Sequence, residues 1–454
     1  MAPPGTGYKA AGYPPGVPSS AGPAGRVVAG TLPNGLRLLL APRPAAGTVS
    51  VWVWYRIGSR NEVPGTTGAS HWVEHMMFNG SPNFPKGQMD RAVMEVGGYL
   101  NAFTDVDFTA YLTTVPAAHA DLPLRIEADR MSRARMTAAE VERERTIVLA
   151  ERDGNENAPE FKAEEELYEL AFRRHPYRWD PLGWREDIQR MTAETLAAYY
   201  RTYYGPRNAT LVVAGRFAER PMRARIGALF GRLPSAGAPP PRPAPEPAPH
   251  GERRATLRGP GSTPFLLVGF RAPAVDDPAA PATVLLDTLL GGETRLFGVS
   301  AWGRSVEHPS ARLYRRLVAT GLAIRATSEW RPRADPGLFV VHLQAAVGVS
   351  LDRLERALLR ELEAIARSGP TPGELREIRQ KIRVAAALAY EGPTRTAFRL
   401  GYFALLGAPG IEERLRRQIL ATPARAIRDR ARELFAADSR CVVRFETAEA
   451  PGGR

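Results

Sequence analysis

Between Leu233 and His250 the chain reads Leu-Pro-Ser-Ala-Gly-Ala-Pro-Pro-Pro-Arg-Pro-Ala-Pro-Glu-Pro-Ala-Pro-His. Proline at that density removes backbone donors and fixes φ, so the stretch forms neither a helix nor a strand ladder and has to run extended. It reads as a semi-rigid linker over residues 233–251. It cuts the 454-residue chain into segments of about 205 and 200 residues, each able to bury its own core. The expected organisation is a mobile tail over 1–25, too rich in Pro, Gly, Ala and Ser to bury apolar surface, a first domain over 26–232, and a second over 252–449.

The two segments share a pattern. In the first, a helix expected from Thr192, a suitable N-cap, to Tyr204 leads into the strand Asn208–Gly215. In the second, Thr422 as N-cap with Pro423 at the first helical position begins a helix to Ala436, which leads into the strand Asp438–Phe445. Two copies of one α/β unit are expected. Val49 to Ile57 alternates, with Val49, Val51, Val53, Tyr55 and Ile57 on one face and Ser50, Trp52, Trp54 and Arg56 on the other, a strand covered on both sides. Met89, Ala92, Val93 and Val96 mark an amphipathic helix ended by Gly97-Gly98, and Phe108–Val115 returns to strand composition. Strands and helices at irregular spacing favour an α+β fold, each domain a mainly antiparallel sheet covered by helices.

Composition narrows the function. The chain is 44% hydrophobic and 24% charged, as a globular protein is, and its formal net charge is +13. Only four of the basic residues are lysines, and the arginines are spread along helices among acids with no basic block carrying interleaved aromatics. No nucleic-acid partner is expected on that pattern, and an acidic protein partner fits the charge better. No apolar run reaches the length of about eighteen residues that a membrane span needs, and Met1–Gly25 lacks the apolar centre of a secretory signal. A soluble, cytoplasmic protein with no membrane partner is the expectation. The single cysteine, Cys441, reads as a buried strand residue and excludes a disulfide framework or a multi-cysteine metal site. Metal chemistry here must use His and carboxylates.

Two of the seven histidines stand four apart in His71-Trp72-Val73-Glu74-His75. On a helix the second imidazole is rotated only about 40° from the first and lifted about 6 Å, so both rings can reach one ion. Glu74 overhangs the same point and can take a proton from a water there. A surface helix that happens to carry these residues is the rival reading. A catalytic zinc site also needs a third protein ligand, expected to be a carboxylate, and Ala139–Asn155 offers several. Within it Glu144 and Glu151 lie seven apart on one stripe with Val141 and Val148, about 10 Å apart along the axis. That spacing alone does not choose between a ligand and a solvated acidic face.

The sequence Gly68-Ala-Ser-His71-Trp-Val-Glu74-His75-Met-Met-Phe78-Asn-Gly80 resembles the motif of the pitrilysin, insulinase and mitochondrial-processing-peptidase family, the H-x-x-E-H inverzincins. In that family the third zinc ligand follows the second His by some 76 residues and a characteristic Glu by seven. Glu151 follows His75 by 76 and Glu144 by seven, so the resemblance implies one Zn²⁺ per chain on His71, His75 and Glu151, with Glu144 supporting. Gly97-Gly98-Tyr-Leu-Asn101-Ala102-Phe103-Thr104, followed by Phe108-Thr-Ala-Tyr111, is similar to the family's edge strand that pairs with substrate backbone. The resemblance thus implies substrate binding at Phe78, Asn101, Ala102 and Phe103. His175-Pro-Tyr177 and Pro181-Leu-Gly183 resemble a mid-domain loop, making His175 structural. The likeness spans about Val27 to Thr447, strong in the first half and fainter in the second. It implies a catalytic first domain and a homologous, non-catalytic second domain forming half of a clamshell.

One departure stands out. Many members of that family carry an Arg and a Tyr, seven apart in a stretch like L-R-x-x-x-G-L-x-Y, that bind substrate and polarise its carbonyl. Here the stretch is Tyr314-Arg-Arg-Leu317-Val-Ala-Thr-Gly321-Leu-Ala-Ile324, with Leu317 and Ile324 at those places and Arg316 and Arg325 one position off. On a helix one position turns a side chain by about 100°. The expectation is a zinc endopeptidase subunit for short or unfolded peptides, with Glu74 as general base, working as a heterodimer with a homologous chain that brings the Arg/Tyr pair. A non-catalytic assembly subunit and a zinc hydrolase of non-peptide substrates are the rivals.

Overall fold

The computed structural model describes residues 25–261, 263–292, 308–407 and 410–448. The expected tail over 1–25 falls, but for Gly25, outside the described residues. Six strands, β1 (Val28–Thr31), β2 (Arg37–Pro42), β3 (Thr48–Tyr55), β4 (Tyr99–Thr104), β5 (Thr109–Pro116) and β6 (Ala209–Gly215), form a sheet in the order β1-β2-β6-β3-β5-β4. Five more, β7 (Arg253–Gly259), β8 (Phe265–Arg271), β9 (Ala323–Trp330), β10 (Leu338–Ala345) and β11 (Arg440–Thr447), run β7-β11-β8-β10-β9. Without β1 the two orders coincide strand for strand. In each sheet the parallel pair falls in the same place, β2 with β6 and β7 with β11, and the other pairs are antiparallel. The chain is therefore an α+β protein of two tandem domains of one topology. Among the described residues no helix is long and apolar enough to cross a membrane.

Of the helices that follow β3 in the first half, the first five in chain order are α1 (Ala69–Met76), α2 (Gln88–Glu95), α3 (Asp121–Arg133), α4 (Ala138–Glu156) and α5 (Pro159–Ala171). Alternation sends Val49, Val51, Val53 and Tyr55 to one face of β3, where they are buried with Trp72, Val73, Leu124 and Val148. Trp52 and Trp54 go to the other face, and a helix of the second half, Gly392–Leu406, covers them. The Phe398 ring lies 5.8 Å from Trp52 and 5.6 Å from Trp54. Gly401 permits this approach, since a Cβ there would fall 2.0 Å from Trp54 Nε1. In return α5 buries Ala163 and Leu167 with Phe265, Leu267 and Val443 of the second sheet. Each half thus gives one helix to the other's sheet, and Phe398→Ala should cost about 3–5 kcal/mol.

Residues 233–250 carry no helix or strand. Pro240, Pro243, Glu246 and Pro249 are half-buried and the residues between them are exposed, the three-residue period of a polyproline II helix laid on a surface. Glu246 accepts hydrogen bonds from the backbone N–H groups of Arg173 (2.9 Å), Arg174 (2.7 Å) and His175 (2.8 Å). Arg242 pairs with Asp335 at 3.1 Å, and Asp335 also meets Arg60 at 2.8 Å and His175 Nε2 at 3.3 Å. His175 accordingly does structural work at the junction of the halves.

Thr192 caps its helix as expected, its hydroxyl accepting from Thr195 N. Thr422 does not. That helix begins at Ala424, and the Thr422 hydroxyl donates back to the Gln418 carbonyl at 2.8 Å.

Candidate metal centre

The helix that carries the His-x-x-Glu-His sequence is held at its start by buried acids. Gly68, at φ 86, takes the left-handed turn into α1. The two oxygens of Glu62 accept from Gly68 N (2.8 Å) and Ser70 N (2.7 Å), satisfying donors that open a helix. Asp187 gathers Gly65 N at 2.9 Å, Thr67 N at 3.1 Å and the Thr67 hydroxyl at 2.7 Å. With its ends fixed and Trp72, Val73 and Met76 in the core, α1 presents His71, Glu74 and His75 to one side. Opposite stands α4, started by a capping box in which the Thr137 hydroxyl accepts from Glu140 N.

His71 Nε2, His75 Nε2 and Glu151 Oε2 converge. The separations are 3.1 Å between the imidazoles, 3.6 Å from His71 to Glu151 and 3.4 Å from His75 to Glu151. Ligands at 2.0–2.1 Å on the corners of a tetrahedron around zinc lie about 3.3 Å from one another. The donor set and its spacing therefore fit that ion, with a fourth corner left over. His75 Nδ1 donates to Glu144 Oε1 at 3.0 Å, which turns Nε2 toward the site, and Asn79 Nδ2 donates to Glu144 Oε2 at 2.8 Å. Burial and the nearby His75 push His71 down to about 4, so it is neutral, as a ligand must be. Burial also opposes charge on His75, but Glu144 and Glu151 outweigh it and lift the group to about 9. The hydrogen bonds from His75 hold Glu144 and Glu151 below the ordinary carboxylate range. The two acids thus favour a positive charge at this point, and a cation bound there would displace the His75 Nε2 proton.

Glu74 is 9% exposed, and burial lifts its carboxyl to about 7. The Thr104 hydroxyl donates to its Oε2 at 2.6 Å. Thr104 ends β4, the last strand of its sheet, which pairs with β5 alone among the described strands. Asp105 N donates to Phe108 O at 2.8 Å and closes the β4–β5 hairpin, so the hydrogen-bonded pairs fall at Phe103 and Asn101. The backbone groups of Leu100, Ala102 and Thr104 then face the open edge. The Asn101 side chain covers one of them, accepting from Ala102 N at 2.9 Å. Phe103 points away, its ring 5.8 Å from Trp52 in the core beneath the helix from the second half. The Arg130 guanidinium lies over the Phe78 ring at 5.3 Å and over the Tyr111 ring at 4.3 Å, the two rings being 6.1 Å apart.

The structure thus brings His71, Glu74, His75, Glu144 and Glu151 together, with Phe78 and β4 alongside. Sequence reasoning passed over Glu62, Asn79 and Thr104. Thr104 lay inside the quoted β4 segment, and Asn79 followed Phe78 in the motif itself. Leu317 is buried in the second core and Ile324 is half-exposed on β9, so neither offers a donor.

A scaffold of two like domains, the first with a His-His-Glu group able to hold a metal ion, is the class that this fold and site define. Residues 37–180 match the family model for insulinase (peptidase family M16), and residues 190–382 match that for the peptidase M16 inactive domain. The chain belongs to peptidase family M16. It is 28% identical over 354 residues to zinc protease PqqE of Helicobacter pylori, covering 77% of each chain. It is 25% identical over 372 residues to the mitochondrial-processing peptidase subunit beta of Blastocladiella emersonii, covering 82% of this chain and 77% of that one. The crystal structure of a protease from Helicobacter pylori superimposes with a TM-score of 0.86 at 25% identity, covering 95% of this chain and all of that one. The periplasmic protease PqqL from Escherichia coli shares the fold, with a TM-score of 0.75 at 19% identity, and this chain covers 47% of it.

Proposed function

We propose that this chain is a zinc-dependent endopeptidase subunit acting on short or unfolded peptides. The observation that carries the reading is the near-tetrahedral spacing of His71 Nε2, His75 Nε2 and Glu151 Oε2 beside a buried Glu74 lifted to about 7. One zinc ion bound there would supply Lewis-acid polarisation and make water acidic near neutral pH. Glu74 takes the proton of the attacking water and later delivers it to the leaving amine, a task matched by its raised pKa. Glu144, fixed by Asn79, orients His75. An extended peptide adds to β4 through the outward backbone groups of Leu100, Ala102 and Thr104, which favours unfolded substrates over any one side-chain sequence.

The working form is a heterodimer. Leu317 and Ile324 cannot donate to a developing oxyanion, and losing such a donor costs about 10²–10³ in rate. A homologous chain carrying the Arg/Tyr pair supplies it, and the net charge of +13 favours an acidic partner face. The Escherichia coli relative, of which this chain covers 47%, has room for two such halves in one polypeptide. The test is to measure zinc content and hydrolysis of an unstructured peptide by the purified chain, alone and with candidate homologous subunits. One zinc per chain and activity that appears on mixing is the expected result. Full activity alone would overturn the heterodimer, and stoichiometric zinc without hydrolysis in any mixture would overturn the peptidase reading.

A further inference from the structure

Glu74 receives one side-chain hydrogen bond among the described residues, that from Thr104 Oγ1 at 2.6 Å. The first two torsions of a glutamate on a helix sit in staggered wells but the last is broad, so a buried carboxyl with a single donor takes its final orientation from that donor. The donor here is not on α1. It sits on the last residue of β4, whose own backbone N–H and C=O face the open edge by the hairpin register derived above. Thr104 thus has its main chain on the side where a peptide would pair and its hydroxyl on the carboxyl that would move the proton.

Thr104 is itself held from two directions. Its hydroxyl lies 3.4 Å from Thr109 Oγ1, across the hairpin, and the Thr109 hydroxyl donates to Ile57 O at 2.9 Å and meets Tyr204 Oη at 3.2 Å. The hairpin turn just beyond it is fastened to the second half and to the loop of Tyr177 in the first. Arg333 pairs with Asp105, Ala334 N donates to Asp107 Oδ2 at 3.0 Å, and Tyr177 Oη donates to Asp107 Oδ1 at 2.7 Å. A residue so restrained cannot follow Glu74; Glu74 has to follow it.

We infer that Thr104 is a positioning residue that registers the Glu74 carboxyl to the edge strand on which the peptide is laid. This rests on the peptidase reading above. A peptide bond hydrogen-bonded to β4 is located in the frame of β4, whereas Glu74 belongs to α1. The Thr104 hydroxyl makes those two frames one. Its loss leaves binding of peptide and metal in place and lets the base rotate away from the water it must deprotonate, so the effect falls on turnover.

The experiment compares Thr104→Val, which keeps the shape and removes the donor, with Thr104→Ser, which keeps the donor. Both are made in the full chain and assayed in the assembly that cleaves a fluorogenic unfolded peptide, beside Glu74→Gln. For Thr104→Val, kcat should fall about 10–100-fold, as for loss of an orienting partner, with KM and bound zinc unchanged within about twofold. Thr104→Ser should recover kcat to within about threefold of the parent. A readout independent of turnover is a crystal structure of metal-free Thr104→Val, in which the Glu74 carboxyl should have turned off β4. If Thr104→Val fails to fold, Thr104→Ala against Thr104→Ser decides, and equal kcat for those two overturns the proposal. Parental kcat in Thr104→Val with an inactive Glu74→Gln overturns the role of Thr104 and leaves the peptidase reading standing. An active Glu74→Gln removes the base assignment, and the proposal falls with it.

Discussion

The helix Ala280–Gly291 holds in the second half the place that α1 holds in the first, and β9 matches β4 at the edge of its sheet. Both helices send a carboxylate to that edge strand. In the first half Glu74 takes one bond, from Thr104. In the second, Asp287 Oδ1 accepts from the Ser328 hydroxyl at 2.7 Å and Oδ2 from Trp330 N at 3.2 Å. Laid on Glu74, Asp287 puts Val284 and Thr288 where His71 and His75 stand, and both are buried. One scaffold therefore carries two kinds of acid. The saturated one ties helix to strand and has nothing left for a reaction. The half-satisfied one, beside two imidazoles, keeps a proton near neutral pH. Chemistry in this fold is a matter of what is left unbonded.

The sharpest way to break that contrast is Glu74→Gln. The amide keeps the contact with Thr104 and removes the base, so hydrolysis should fall by about 10²–10⁴ while zinc stays bound, as metal analysis and peptide turnover would show. Loss of metal in this variant would mean that Glu74 is a ligand. Next comes Glu151→Gln, which removes an anionic ligand and should weaken zinc binding by more than the roughly 10–100-fold typical of an outer partner, read in a competition titration with a chelator. Glu144→Gln should fall within that 10–100-fold range, since it disturbs only the orientation of His75. If Glu144→Gln proved worse than Glu151→Gln, the two acids would exchange roles.

How far the site was legible follows from where its parts lie in the chain. His71, Glu74 and His75 occupy little more than one turn of one helix, and helical geometry alone brings them together. Glu151 is 76 residues beyond His75, and nothing in the chemistry of the α4 acids singles it out, so only the family's spacing pointed there. Thr104 meets Glu74 from another element of the fold, Glu62 meets backbone N–H groups six and eight residues on that no side-chain pattern marks, and a lone Glu or Thr announces no partner. The alternation in β3 correctly called for cover on both faces. That the cover on Trp52 and Trp54 comes from residues 392–406 depends on the exchange of helices, which no local pattern encodes. Proline content foretold an extended segment over 233–250 but not its docking, which depends on Glu246 meeting three N–H groups of another loop.

Asp287→Asn sharpens the comparison from the other side. Its oxygen keeps the bond from Trp330 N while its N–H₂ turns the Ser328 hydroxyl from donor to acceptor, the hydroxyl proton falling back on Asp287 O at 3.3 Å, so hydrogen bonds to a carboxylate become weaker neutral ones, at about 1 kcal/mol. Stability by denaturant titration should drop, while zinc content and kcat of the folded fraction stay unchanged. A loss of turnover without loss of stability would mean that the second half contributes to the reaction directly.

The smallest effect concerns how each helix is begun. In the second half the exposed Asp277 side chain accepts from Ala279 N at 2.7 Å, so Asp277→Asn should stay within about 0.5 kcal/mol. In the first half the cap is Glu62, 3% exposed, and burial lifts it from 4.5 to about 7 against the opposing pull of the Ser70 and Gly68 N–H groups. Between those two values the unfolded chain has released the proton and the folded chain still holds it. The folded state then binds more protons, and the Glu62 contribution to stability declines as pH rises through that window and is level above it. Gln cannot ionise, so Glu62→Gln loses this slope. Relative to the parent, the variant should gain stability between pH 5 and pH 8, by about 2–4 °C in thermal midpoint for each kcal/mol recovered. A difference between parent and variant that is constant across that range would show that the carboxyl at the start of α1 is ionised throughout, and that its two N–H bonds outweigh its burial.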